Sequence, residues 1–202
     1  MKDPRFDKLA NVIIEHSTRL QKNEKILIEA IDIPEEMVAA LLRKIKSVGG
    51  VPLVTVKQNK VIRELYNVES EEAMRLAGEF EAARMQKMDA YVALRGSHNI
   101  AELSDVTDEG MKLYQQHWWH PVHIGVRVPH TKWVVLRWPS SSMAQQANMS
   151  TAAFEAFYFN VCTLDYGKMS KAMDALVARM EATDQVHIKG PGTDLLFSIR
   201  SE

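Results

Sequence analysis

Three short apolar runs recur in the first half of the chain: KILIEA at 25–30, VPLVTVK at 51–57 and DAYVALR at 89–95. Each is nearly continuous in hydrophobicity, so each reads as a strand covered on both faces rather than one half-exposed to water. Between the runs the apolar spacing changes to the helical period. IPEEMVAALLRKIKSV sets Met37, Leu41, Leu42, Ile45 and Val48 along one stripe, and residues 59–88 form a mixed helical stretch. Parallel neighbours need a crossover connection, which a helix supplies with right-handed geometry. The alternation therefore predicts an α/β fold: a mostly parallel sheet with helices on both faces.

The flanking segments extend this pattern. In DPRFDKLANVIIEHSTRL, Asp3 is a helix N-cap with Pro4 at the first helical position, and Phe6, Leu9, Ile13 and Leu20 share one face. Gly49 and Gly50 end the second helix by accepting a positive φ. SDVTDEGMKLYQQHWW is a further helix capped by Asp105 or Thr107. Pro121 lacks a donor and disfavours helical geometry at His120, so this helix is expected to stop at Trp119. Two strands are expected next, VHIGVRV at 122–128 and KWVVLRW at 132–138. Ser150 caps TAAFEAFYFNVCTL, with Met149 and Phe154 placed as a hydrophobic staple. The last long helix, 168–182, is expected to turn Met169, Met173, Leu176, Val177 and Met180 inward.

After Thr183, QVHIKG and LLFSIR flank the turn PGTD and predict a terminal β-hairpin. A lone hairpin is marginally stable in water. The expected division is an N-terminal α/β domain over 1–183 and, over 184–202, a hairpin that begins a truncated second domain.

A net charge of -1 and a pI near 6.7, with no block of lysines or arginines, provide no field to hold a phosphate backbone, so no nucleic-acid partner is expected. The most apolar stretch, AAFEAFYFNVC, is too short to cross a bilayer. Asp3, Asp7 and Glu15 exclude a secretory leader over the first twenty residues. The expectation is a cytoplasmic protein with no membrane contact. The single cysteine, Cys162, cannot form an internal disulfide, and its helical spacing from Phe154, Tyr158 and Val161 makes it a packing residue.

The densest cluster of chemical groups is HWWHPVH at 117–123. His117 and His120 have a spacing that suits helical metal ligands, but no Cys, Asp or Glu lies beside them to complete a coordination shell. The cluster reads as a junction between elements, with no metal ligand assigned. GPGTDL at 190–195 lacks the third glycine and the following helix of a phosphate loop, and is a β-turn. WPSSSMAQQ has no nucleophile elbow, and its serines suit a short helix after Pro139. The best candidates lie after the third strand, because ligands of open α/β sheets settle outside the carboxyl ends of strands. In RGSHN, Arg95 can hold a carboxylate, His98 can move a proton, and Asn99 completes a polar group. Arg95, His98 and Asn99 are the candidate substrate-binding residues. The plainer alternative is that they cap the next segment and face water.

KWVVLRWPSSSMAQQANMSTAAFEAFYFNVCTLDYGKMSKAM and VHIKGPGTDLLFSI, taken in order, resemble the N-terminal region of metalloaminopeptidases of the aminopeptidase T and aminopeptidase S type. The resemblance rests on the Trp138-Pro139 strand end, AQQANMS, the aromatic helix, Leu164-Asp165-Tyr166 and the hairpin; the opening helix and KILIEA also fit. It implies a dimeric cytoplasmic exopeptidase that releases N-terminal amino acids from peptides. It also implies two divalent metal ions, zinc or cobalt, to polarise the scissile carbonyl and lower the pKa of a bridging water. The metal ligands of such enzymes lie beyond the segment matching TDLLFSI, so no catalytic or metal-binding residue carries over, and this chain by itself is expected to bind no metal and to be inactive. Two other readings compete: a stand-alone Rossmann-like module for a small molecule or nucleotide, and an interaction module.

Overall fold

The computed structural model describes residues 3–200. Its strands are β1 (Lys25–Ile31), β2 (Val51–Lys57), β3 (Ala90–Arg95), β4 (Lys132–Arg137), β5 (Gln185–Gly190) and β6 (Thr193–Ser198). Its α-helices are α1 (Pro4–Asn11), α2 (Glu35–Val48), α3 (Asn59–Asn67), α4 (Glu71–Met85), α5 (Asp108–Tyr114), the single turn α6 (Val128–His130), α7 (Ser141–Gln146), α8 (Thr151–Cys162) and α9 (Tyr166–Glu181). A π-helical turn, Val12–Ser17, extends α1, and a longer π-helical segment, Gln115–Arg127, joins α5 to α6.

The first four strands form one parallel sheet in the order β2-β1-β3-β4. Successive side chains of β1 and β3 alternate between two cores, as the strand period requires. Ile26, Ile28, Val92 and Leu94 meet Leu9, Ile13, Met37, Leu41 and Phe159 from α1, its π-helical extension, α2 and α8. On the opposite face, Leu27, Tyr91 and Ala93 meet Met85, Val122 and Val126 from α4 and the π-segment. The predicted α/β fold with helices on both faces is the observed one. Its helix ends are those the cap chemistry dictates: Asp3 accepts from the Arg5 amide, Ser70 from Ala73, Thr107 from Gly110 and Ser150 from Ala153, while α2 stops at Gly49 with φ 77°. Asp105 is an ion-pair partner of Arg63 instead of a cap.

The structure corrects four expectations. Residues 122–128 are not a strand, and the helix does not end at Trp119: π-helical backbone runs through Pro121. The alternation of Val122, Ile124, Val126 and Val128 imitates a strand, but only Val122 and Val126, one helical turn apart, are buried; Ile124 and Val128 are 42% and 41% exposed. Pro121 lies on the solvent side, where its missing donor leaves no sealed acceptor behind. The run 51–57 is not covered on both faces, since β2 is an edge strand with Pro52, Val54 and Val56 exposed. Pro is at home on such an edge. The stripe on α9 is also exposed, with Met173 at 47%, Leu176 at 58% and Met180 at 55%.

Chain contacts divide the protein into one compact unit ending at Leu164 and a second beginning at Asp165. The second unit contains α9 and the antiparallel β5-β6 hairpin, whose turn has Gly192 at φ 73°. A helix and a two-stranded hairpin offer little surface for mutual burial, which accounts for the exposure of the α9 stripe.

Candidate functional site

Sheet order decides where a ligand can settle in the first unit. From β1 the chain moves to β2 on one side, and then crosses back to β3 on the other. The strand order therefore reverses between β1 and β3, leaving a crevice outside their carboxyl ends. The crevice is present as a cleft of about 360 Å³ lined by Glu29, Lys57, Arg95 and Arg137 from the strands and by Trp118 and Arg127 from the π-segment. That volume suits a small molecule.

Register builds one wall. Lys57 pairs with Ile31, Ile31 with Arg95, and Arg95 with Arg137, so the last row across the four strands has three cations on one face. The loops beyond are held tightly. The Gly96 amide donates to the Ile31 carbonyl at 2.7 Å, and the Asn59 side-chain amide bridges the Gly96 carbonyl and the Asp32 carboxylate. A Cβ on Gly96 would lie 2.2 Å from the Asp32 carbonyl oxygen, so this close approach demands glycine.

The opposite wall comes from HWWHPVH. Tyr66 and Tyr114 stack with ring centroids 4.3 Å apart, Trp118 meets Tyr114 edge-on at 5.9 Å, and the Lys57 ammonium sits 5.2 Å from the Trp118 ring. Trp119 also lines the cleft. The histidines do not converge. His117 is 3.7 Å from the Glu71 carboxylate, His120 is exposed, and His123 lies 5.4 Å from the Trp119 ring. Burial, followed by the nearby Arg127 and Arg95 charges, lowers the His123 pKa. Among the described residues no group of three or more His, Cys, Asp or Glu side chains could hold a metal ion. The described residues of this segment and cleft do not fit a metal centre.

Beneath the cleft lies a buried charge network. Glu29, 4% exposed, accepts from the Tyr91 hydroxyl at 2.9 Å and pairs with Lys57 at 2.7 Å. Arg127 lies 3.6 Å from Glu29, pairs with the buried Glu81 at 2.7 Å, and stacks 4.2 Å from the Tyr91 ring centroid. Arg84 completes the group by bonding Glu81 at 2.6 Å and the Thr55 hydroxyl at 2.8 Å. Burial alone would raise the Glu29 pKa, but the Lys57 and Arg127 charges more than offset it and hold the carboxyl below its ordinary 4.5. A depressed folded-state value stabilises the protein above the unfolded value, and the contribution is lost as pH falls through the folded value. The first unit is therefore expected to lose stability as pH drops below about 4.5. Urea midpoints at pH 7 and pH 3 check this, and Glu29→Gln should show the smaller fall.

Of the residues chosen from sequence, Arg95 and Asn99 line this cleft. His98 is exposed and lines two neighbouring hollows instead. Asn99 also accepts from the Ala101 amide at 3.0 Å through its side chain, a local turn bond. Ser142, from the serine run, donates to the Ser97 carbonyl at 2.6 Å and so anchors the loop containing these residues. Glu29, Lys57, Arg127, Arg137 and the two tryptophans were not chosen. A lone Glu inside an apolar run, and three strands ending in Lys or Arg, are the signals that mark most of them.

Fold and cleft together define a doubly wound α/β domain with a ligand-sized crevice at its switch point. More narrowly, a family model described as thermophilic metalloprotease (M29) matches residues 2–202, and the chain belongs to that family. Its fold is similar to that of wild-type AmpT from Thermus thermophilus, with a TM-score of 0.72 at 18% identity over 96% of this chain and 53% of AmpT. The chain thus spans about half the length of that relative. A LacI-family transcription regulation repressor from Corynebacterium glutamicum overlaps 66% of this chain and 41% of its own at 12% identity, with a TM-score of 0.34, too slight to bear on the fold. No curated protein matches the chain. Among the described residues no helix is long and apolar enough to cross a membrane.

Proposed function

We propose that this chain is the N-terminal α/β part of a metal-dependent aminopeptidase that releases N-terminal amino acids from peptides. The observation that carries the reading is the family match over residues 2–202. In this reading two divalent ions, zinc or cobalt, are held by residues outside the chain, which is inactive by itself. The 53% coverage of AmpT and the scatter of the histidines support that part. The assembled enzyme is a cytoplasmic homodimer, the α/β domain runs over 1–183, and residues 184–202 open the metal-binding half. Arg95, His98 and Asn99 serve substrate binding from the carboxyl end of the sheet.

The test uses an aminoacyl p-nitroanilide with added zinc or cobalt. The chain is expected to show no turnover and no stoichiometric metal uptake in equilibrium dialysis. Expressed together with the coding sequence downstream of Glu202, it is expected to give release that a chelator abolishes. Turnover that follows the purified chain through every column would overturn the inactive part of the reading. Failure of the longer product to release any amino acid would overturn the aminopeptidase assignment.

A further inference from the structure

The cleft contains more positive charge than the protein itself neutralises. Its lining has four cations, Lys57, Arg95, Arg127 and Arg137, against two carboxylates, Glu29 and Glu102. Glu29 already serves both Lys57 and Arg127. Among the described residues, neither the Arg95 nor the Arg137 side chain has a carboxylate partner or a side-chain hydrogen bond. Yet register sets these two side by side on adjacent strands, about 4.8 Å apart in backbone spacing. The Nε atoms of Arg95 and Arg127 are also sealed from solvent without an acceptor. Like charges placed together, with buried donors unmet, are costly unless an acceptor joins them.

We infer that the cleft binds a small carboxylate with a flat, apolar body, its oxygens bridging the guanidinium groups of Arg95 and Arg137 and its body against Tyr114, Trp118 and Trp119. Paired guanidinium forks match the planar, two-oxygen geometry of a carboxylate. The aromatic wall supplies a surface on which a flat group loses water and stacks. The ligand class follows from the cleft walls alone and does not depend on the peptidase assignment.

Titration calorimetry and tryptophan fluorescence on the 202-residue chain test the site with phenylacetate, acetate and inorganic phosphate as probes. Phenylacetate is expected to bind, to quench tryptophan emission, and to bind more tightly than either acetate or phosphate. Arg95→Gln and Arg137→Gln are each expected to weaken it roughly ten- to a hundredfold, the loss of one charge-assisted contact. Both variants are expected to melt at or above the parent temperature without ligand, because each removes one of two like charges that the register places side by side; a merely structural arginine would lower it. Absence of phenylacetate binding at millimolar concentration overturns the inference, as does binding that neither substitution weakens. Tighter binding of phosphate overturns the carboxylate assignment. If Arg95→Gln does not fold, the exposed Arg137 carries the test, and failure of both to fold makes the pair structural and ends the proposal.

Discussion

Arg127→Ala is expected to destabilise the first unit by about 3–5 kcal/mol, a larger loss than truncating a surface arginine causes. The residue is 6% exposed and faces two carboxylate residues, Glu29 and Glu81, that are themselves 4% and 8% exposed. Taking a charge from water into a protein interior costs several kcal/mol, which mutual attraction offsets only while every partner is present. Without Arg127, Glu81 keeps Arg84 and Glu29 keeps Lys57 and the Tyr91 hydroxyl, but both lose a buried counter-charge, and Tyr91 loses the cation over its ring. For a chain of this size the loss corresponds to a fall in melting temperature of roughly 6–20 °C. Urea denaturation of parent and variant measures it. Removing the exposed pair Arg75 and Glu79, 49% and 57% accessible, should change stability by less than about 1 kcal/mol. If Arg127→Ala is no worse than that surface control, the network does not hold the sheet to the π-segment.

Most of the sheet was legible because its strands are short apolar runs between helices with their own cap signals. Asp3, Ser150 and Gly49 act locally, through bonds or a φ angle spanning only a few residues, and local chemistry can be read from a linear string. Helix against strand at 122–128 was not legible, because Val122, Ile124, Val126 and Val128 satisfy both periods and only packing on Tyr91 and Leu27 selects the helical pair. The cleft was legible in part. Arg95 follows from the rule about strand ends, but its partner Arg137 lies 42 positions later and becomes a neighbour only through the β3-β4 register. The role of HWWHPVH was hidden for the same reason. Its tryptophans matter as a wall facing Lys57 and Tyr114, and that wall exists only once the segment crosses the sheet.

That crossing leads to the second large effect, expected for Gly78→Ala. In an isolated helix the substitution would help by about 1 kcal/mol, since alanine is the better helix former. Here the expected outcome has the opposite sign, a net loss of about 2–3 kcal/mol. A Cβ at position 78 would lie 2.0 Å from the His117 carbonyl oxygen and 3.0 Å from the Trp118 Cα. Both are backbone atoms, so no side chain can rotate away, and α4 must move from the π-segment as a body. Separation of α4 from the π-segment would change the packing around Trp118 and Trp119 and shift tryptophan emission, while the cation row at the strand ends stays in place. Gly125→Ala is the matched control. Its new Cβ would find only the His120 carbonyl oxygen, at 3.8 Å, an ordinary contact, so helix propensity should leave that variant as stable as the parent or slightly more so. Equal stability of Gly78→Ala and the parent in urea would mean that α4 and the HWWH turn do not touch backbone to backbone, and the aromatic wall of the cleft would lose its support.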